Sequence, residues 1–463
     1  MTQKKFLLMY CSKPGLDDDF IAQPLGILYL GAILEQEGVP VRCIDERIAP
    51  PERIKEAVEE ADVVGVSAMT PFLMRALEWG GYAKSRGKIT LMGGPHATVD
   101  PHTLLDSGNI DFVFMGEAEI TIREFIPRMD DKAGLKEVKG LAFFDEDGRK
   151  VITEERPFNR DLDSVPFPAW HLLPIEEYFR RNKERLFYIF TSRGCPYSCV
   201  FCQKKLTGRG FRTRSVENIL DELELIVKNY HPGNILFIDE LFTCRRDRVL
   251  AICEAVRRRG LRFNWACETR VDRVDYDLMM TMRRAGMRRI YFGVESGSPR
   301  SLKTLNKRFT VEQIVSTLRS ARRADLWTKI FLIIGTPGET LEDFAHTERM
   351  LRRAHPDLVR TSLFNPLIAS PSFELYKDRI DMDLVFKEYV DSDGTPYRHE
   401  NFTTEELNEI KRRIRADYEA WYARPRQRLV RKLWKLRFLA EHPGEVGPWL
   451  RERRERRRAF RHA

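Results

Sequence analysis

Short apolar runs and longer amphipathic stretches alternate along most of this chain. FLLMY (6–10), VRCID (41–45), VVGVS (63–67), ITLMG (89–93) and DFVFM (111–115) have strand length, and helix-length segments separate them. PLGILYLGAILEQEG spaces its apolar residues at helical intervals, opens with Pro24 and closes with Gly38. Five strands with intervening helices predict a doubly wound, Rossmann-like parallel sheet over residues 1–130. Ligands of such sheets lie beyond the carboxyl ends of the strands, where this chain places SAMT (67–70), GGPHAT (93–98) and GEAE (116–119).

Residues 131–185 break the rhythm. VKGLAFFDEDGRKVITEERPF reads as a hairpin with a DEDG turn, and DLDSVPFPAWHLLP as a proline-punctuated linker. Alternation resumes with FYIFTS (187–192), ILFIDE (235–240), FNWACE (263–268), RIYFGVE (289–295), TKIFLIIG (328–335) and VRTSLFNP (359–366). Six βα units over 186–395 predict a partial (β/α)6 TIM-type barrel, with a helical basic region over 396–463. The loops after barrel strands build the active site in such folds.

At 463 residues and 43% hydrophobic, the chain can bury two cores and a smaller third unit. No apolar run reaches the length of a membrane span. MTQKKFLLMYCSK lacks the apolar core and cleavage site of a signal peptide, so the expected location is cytoplasmic. The net charge of +9 is local: Arg424 to Ala463 hold 14 Lys/Arg and 4 Asp/Glu, a charge of +10, which leaves −1 for everything before them. Within that tail, RQRLVRKLWKLRFL (426–439) puts Leu429, Leu433 and Leu436 on one side of a helix, with Val430 and Trp434 adjacent. Such a helix suits peripheral contact with the inner face of an anionic membrane, packing on the protein's own barrel, or a solvated end. No aromatic base-stacking surface accompanies the arginines of RERRERRRAFRHA, and nucleic acid is not the expected partner.

Eight cysteines in a chain this long do not form a disulfide framework, and three crowd into RGCPYSCVFCQKK (193–205). Cys195, Cys199 and Cys202 are spaced CX3CX2C. Three thiolates in one loop can bind three irons of a cubane cluster and leave the fourth iron open. A zinc knot is the alternative; it needs a fourth ligand, for which folding would have to bring in His231 or Cys244.

CX3CX2C, with Phe201 before the last cysteine and directly after the first strand of a six-fold βα series, resembles the radical SAM superfamily. The resemblance implies a [4Fe-4S] cluster on Cys195, Cys199 and Cys202. It also implies that S-adenosyl-L-methionine chelates the open iron and is cleaved to a 5′-deoxyadenosyl radical. Residue by residue, FIDELFT with Asp239 and Glu240 sits where the family contacts the methionine end of that cofactor. WACETR and GVESGS offer Glu268, Arg270, Glu295 and Ser296 at the ribose, and IIGTPGET offers Gly335 and Gly338 beside the adenine, near Phe201. Plainer readings stand beside these: Glu268 and Arg270 as a barrel ion pair, Glu295 as a helix cap, the glycines as turn formers. SPSFELY (370–376) departs from the Pro-Gly-Thr turn in which many relatives end.

PLGILYLGAILEQEG, VVGVSAMT, GGPHAT and MGEAE together resemble the cobalamin-binding domain of one large radical SAM branch, over residues 1 to about 395. Ser67, Thr70, Gly93, Gly94, His96, Gly116 and Glu117 are then the implied corrinoid contacts. A strand-end slot of this kind would equally suit a flavin or a nucleotide on physical grounds. The D-x-H-x-x-G motif that places histidine under cobalt is absent; the loop after the first strand reads YCSKPGLDDDF. His96 is expected to line the pocket, with a solvent-facing loop position as the alternative. Cys11, Cys43, Cys244 and Cys253 are read as structural thiols.

The resemblance implies cobalamin-dependent methylation of an unactivated carbon of a small molecule, lipid-like if the tail meets a membrane. A flavodoxin or ferredoxin would serve as reductant. Radical cyclisation, rearrangement or carbon–carbon coupling with the same cofactors is the nearest rival, and a non-catalytic corrinoid carrier a more distant one.

Overall fold

The computed structural model describes residues 4–12, 21–182, 184–385 and 394–447. The first sheet contains Phe6–Tyr10 (β1), Val41–Asp45 (β2), Val63–Ser67 (β3), Ile89–Gly93 (β4) and Phe112–Phe114 (β5), all parallel. Leu141–Phe144 (β6) and Lys150–Ile152 (β7), the expected hairpin, extend the same sheet antiparallel beyond β5. The strand order is β2-β1-β3-β4-β5-β6-β7. The order reverses between β1 and β3, and crevices for ligands open at such switch points. Register puts Tyr10 opposite Ser67 and Ser67 opposite Gly93, so the expected ligand-side residues share one sheet edge.

Alternation along β1 explains the two layers of core. Phe6 and Leu8 join one apolar cluster, and Leu7 and Met9 join the other, on the opposite face. The helix Leu25–Gln36 is apolar almost all round because it lies between the sheet and the linker. A Cβ on its Gly31 would approach Leu172 Cδ1 to 2.7 Å and Cys43 Sγ to 3.2 Å, so a larger residue would have to push the Leu172 side chain aside.

The second sheet is formed by Leu186–Ile189 (β8), Asn234–Phe237 (β11), Trp265–Thr269 (β12), Met287–Glu295 (β13), Trp327–Ile334 (β14) and Leu358–Leu363 (β15). All neighbours are parallel, in the order β15-β14-β13-β12-β11-β8, which is the expected open six-stranded barrel. Ser192–Arg193 (β9) and Arg212–Thr213 (β10) form a two-residue antiparallel clasp, and the cysteine loop is the chain between them. Phe187 and Ile189 face the outer helices, whereas Leu186 and Tyr188 face inward with Leu236, Ala266 and Tyr291.

The two sheets share one apolar cluster, which runs from Phe6 and Leu28 through Trp170 to Phe187 and beyond. Trp170 and Phe187 stack at 4.5 Å, and the Tyr178 hydroxyl donates to buried Asp45 (2.7 Å). The helix Thr404–Ala423, opened by a Thr403/Glu406 capping box, buries Leu407, Ile410, Ile414 and Tyr418 against the barrel. The helix Pro425–Glu441 follows it. RERRERRRAFRHA, and residues 13–20 of the loop after β1, lie outside the described residues.

Candidate active site

The cysteine loop is held from three sides. Behind it, Asp239 is fully buried and its carboxylate accepts from Thr191 N–H (2.6 Å), the Thr191 hydroxyl and the Ser192 hydroxyl (2.6 Å). Arg248 donates to the Thr191 carbonyl (2.7 Å), and Glu240 accepts from Gly194 N–H (3.1 Å). Asp239 is thus spent on the entry to the loop. Gly194 has φ +85°, and a Cβ there would run into the Gly210 carbonyl, so the turn into the loop demands glycine. On a second side, Val200 N–H donates to Leu305 O (3.3 Å) and Asn306 Nδ2 to Ser198 O (2.7 Å). On the third, SPSFELY supplies Ser372 N–H to Val200 O (2.8 Å); this divergent segment therefore braces the cysteine loop.

All eight cysteines are free; Cys195 is buried, while Cys199 and Cys202 are partly exposed. Burial pushes the Cys202 thiol up, opposed by the Lys204 ammonium beside it. Arg270 reaches Cys199 Sγ at 3.8 Å, stacks on Tyr197 at 3.7 Å and is held by Asp272 (2.9 Å). Among the described residues, no three or more His, Cys, Asp or Glu side chains stand ready as a group around a metal ion. His231 ends the helix Val216–Tyr230 and lies on the amino-terminal side of β11, across the barrel from the loop, so it cannot complete a zinc knot there. Three thiols on one loop, cations beside them and two partly open positions fit a cluster carried on three thiolates.

The loops after the later strands converge on the same end. Glu268 lies in the barrel interior, where burial raises its carboxyl and Lys329 opposes that shift. The alternative Glu268–Arg270 ion pair does not form: Arg270 lies just beyond the end of β12, where Asp272 and the Lys307 carbonyl take its guanidinium. Glu295 has φ +70° at an irregularity of β13 and pairs with buried Lys307 (3.1 Å), whose ammonium lies 5.7 Å from the Phe201 ring. Glu295 is no helix cap; Ser298 caps Pro299–Thr304. Ser296 is buried and accepts from Ser298 N–H (3.1 Å).

Gly335 and Gly338 both have positive φ, and space is open where a Cβ on Gly338 would stand. Two supports of their loop were not expected from the sequence. Glu339, 2% exposed, accepts Gly335 N–H (2.8 Å), Thr336 N–H (3.1 Å) and the Ser301 hydroxyl (3.0 Å). From the far side, Glu400 accepts Gly338 N–H (3.0 Å), His399 bonds to Thr336 O (3.0 Å) and Asn401 donates to Glu339 O (2.9 Å). The acid inside IIGTPGET was the available signal for Glu339; residues 399–401 carried none.

At the first sheet's edge, Ser67, Thr70, Gly93, Gly94 and His96 gather beyond β3 and β4. His96 is buried, not solvent-facing, with Nδ1 3.2 Å from the Thr70 hydroxyl, and burial lowers its pKa. Gly94 (φ +102°) would bring a Cβ to 2.9 Å from Ser67 Oγ; Gly116 (φ +74°) faces open space and donates its N–H to Thr98 Oγ1 (3.0 Å). These small residues keep long side chains off the strand ends, and the open space beside Gly116 is compatible with a ligand there. Glu117 is spent elsewhere: it takes both guanidinium nitrogens of Arg212 (2.7 and 2.8 Å) and one of Arg193 (3.4 Å), while Arg193 also holds Glu119 (2.6 Å). The loop after β5 is thereby fastened to the clasp at the root of the cysteine loop.

Residues 17–126 match the B12 binding domain and residues 189–351 the radical SAM superfamily. The chain belongs to the radical SAM enzymes that carry a B12 binding domain. This radical SAM enzyme accordingly uses a [4Fe-4S] cluster, S-adenosyl-L-methionine and cobalamin. It is 29% identical over 415 residues to an uncharacterized methyltransferase of Pyrococcus horikoshii, covering 87% of this chain and 88% of the relative. It is 31% identical over 344 residues to an anaerobic magnesium-protoporphyrin IX monomethyl ester cyclase of Cereibacter sphaeroides, covering 72% of this chain and 56% of that protein. Among solved structures, the cobalamin-dependent S-adenosylmethionine radical enzyme OxsB, with aqua-cobalamin and S-adenosylmethionine bound, superimposes with a TM-score of 0.74. That match has 19% identity and covers 93% of this chain and 70% of OxsB, a likeness of fold. No helix among the described residues is long and apolar enough to cross a membrane.

Proposed function

We propose that this radical SAM enzyme methylates an unactivated carbon of an apolar, lipid-like small molecule in the cytoplasm, with a flavodoxin- or ferredoxin-like electron donor. The observation that carries the reading is the Glu117/Glu119–Arg193/Arg212 bridge. It ties the loop after β5 to the root of the cysteine loop, which holds the two loops assigned to cofactors side by side. Bound there, the cluster and S-adenosylmethionine supply a hydrogen-abstracting radical and the corrinoid supplies the methyl group.

The chain's own residues hold and exclude. Cys195, Cys199 and Cys202 hold the cluster; Asp239, Glu240 and Ser372 fix the loop that bears them. Phe201 packs with Leu305, Phe364 and Tyr397, closing one side against water. Glu339 and Glu400 set the amides of the glycine-rich loop, and the strand-end residues Ser67, Thr70 and His96 orient the corrinoid. Ile238 and Phe331, partly buried beside Leu236, Ala266 and Tyr291, make much of the barrel interior apolar around Lys329 and Glu268, which supports a largely apolar substrate.

The test is anaerobic reconstitution with iron, sulfide, cobalamin and reductant, followed by quantification of 5′-deoxyadenosine and S-adenosylhomocysteine. Both products, the second dependent on cobalamin, are expected. 5′-Deoxyadenosine alone would replace methyl transfer with cyclisation or rearrangement, the reading favoured by 31% identity to a cyclase. Full iron retention by Cys199→Ala would remove the cluster from this loop and leave the carrier reading.

A further inference from the structure

The helix Pro425–Glu441 carries two apolar faces, and only one is used by the fold. On its inner side, Trp434 stacks under the Arg322 guanidinium (4.5 Å) and against His355 (5.7 Å). Phe438 is 2% exposed beneath Arg283, Arg431 donates to Tyr422 O (2.7 Å), and Lys435 pairs with Asp325. The helix is therefore seated firmly on the barrel. Three of its four leucines are on the other side: Leu429, Leu433 and Leu436 are 57%, 53% and 62% exposed.

Positions i, i+4 and i+7 form one stripe along a helix, here about 10 Å long at 1.5 Å per residue. Ordinary surface helices turn such a stripe to the core. This one turns it outward, and exposed Arg426, Arg428, Lys432 and Arg437 flank it. The acid of this helix, Glu441, is neutralised by Arg437 (2.7 Å).

We propose that this face docks the enzyme on an anionic lipid membrane. Leucines at the centre would enter the acyl boundary while arginines and lysine at the margins meet the phosphates, the arrangement that binds amphipathic helices in the interfacial plane. Charge decides against the other occupants. A second copy meeting this face about a two-fold axis would bring the same cations against each other. Residues 448–463 hold seven arginines and two glutamates, a charge that does not favour their covering a cationic face. Because vesicle binding needs no turnover, this proposal stands or falls separately from methyl transfer.

The experiment is co-sedimentation of the full-length, iron-loaded protein with phosphatidylcholine vesicles, with and without phosphatidylglycerol, at low and high salt. Binding to the phosphatidylglycerol vesicles is expected to exceed binding to phosphatidylcholine alone by roughly tenfold or more, and to weaken with salt. Leu429→Ser/Leu433→Ser/Leu436→Ser should lower it by roughly tenfold or more, with iron content unchanged because these side chains already face water. Arg426→Gln/Arg428→Gln/Lys432→Gln should abolish the preference for phosphatidylglycerol. No binding by the wild type, or undiminished binding by the leucine variant, overturns the proposal. So does a wild-type dimer in solution that the leucine variant breaks, which would assign the face to a second copy.

Discussion

Glu339 offers a sharp test of how the glycine-rich loop is held. Its carboxylate is 2% exposed; one oxygen accepts both Gly335 N–H and Thr336 N–H, and the other accepts the Ser301 hydroxyl. Three donors do not offset burial, which pushes the group from 4.5 to about 7, with Asp343 adding to the rise. An unfolded glutamate ionises near 4.5. Below that value both states hold the proton and nothing is lost. As pH rises from there through 7, the folded state clings to a proton that the unfolded state has released, and stability falls. The full loss is about 3 kcal/mol above pH 7, at roughly 1.4 kcal/mol for each tenfold difference in proton affinity between the two states. Glu339→Gln removes the ionisation and keeps the bonds: its carbonyl can accept both amides, and its NH2 can donate to Ser301 Oγ. Thermal midpoints of wild type and variant should coincide near pH 4, below the unfolded value. They should separate towards pH 8.5 in favour of the variant, by roughly 6–12 °C if the barrel of about 200 residues melts as a unit. A gap that does not change with pH would refute the reasoning, because it would place the charge of Glu339 in contact with water.

Glu117→Ala leaves Arg212 and Arg193 without the carboxylate they share. A cost of about 3 kcal/mol is expected, with faster hydrogen exchange across residues 192–213 than in Glu117→Gln. Asp239→Ala strips three donors of their acceptor and leaves buried Arg248 without its carboxylate at 3.9 Å. Iron content should fall although no cysteine is touched, and a normal iron load would deny Asp239 its positioning role. Gly194→Ala must open the clasp by moving the Gly210 carbonyl, at a cost of roughly 1–3 kcal/mol; full iron retention with an unshifted melt would show that the turn is not strained.

The alternation of apolar runs made both sheets legible, since buried parallel strands must be apolar on both faces and the helices between them on one. The cysteine spacing was legible for a related reason: a loop that binds through its own thiols needs no distant partner. The roles of the acids were not. Asp239, Glu117 and Glu295 stand at or just beyond strand ends where a ligand contact was expected, yet each is paired inside the protein, with Thr191 and Ser192, with Arg212, and with Lys307. An acid at a strand end has the same local sequence whether it faces a ligand or an arginine from another element. SPSFELY shows the converse, a divergent segment that braces Val200 through a backbone bond that side-chain identity does not report.

The sequence by itself determined the strands of the two sheets, their order along the chain, the cysteine loop and the glycine turns, because these depend on periodicity and on neighbours within a few residues; the two-residue clasp β9/β10 escaped it. Only the tertiary structure decided that the hairpin extends the first sheet, that Glu117 joins the two cofactor loops, and that residues 399–401 brace the glycine-rich loop. It also decided which side of the last helix meets the barrel. Its pattern allowed the Leu429, Leu433 and Leu436 stripe or Trp434 inside, and packing against Arg322, His355 and Arg283 sent the aromatics inward and that stripe to water. Such choices rest on contacts between residues far apart in the chain, whose energies are set only once the elements meet.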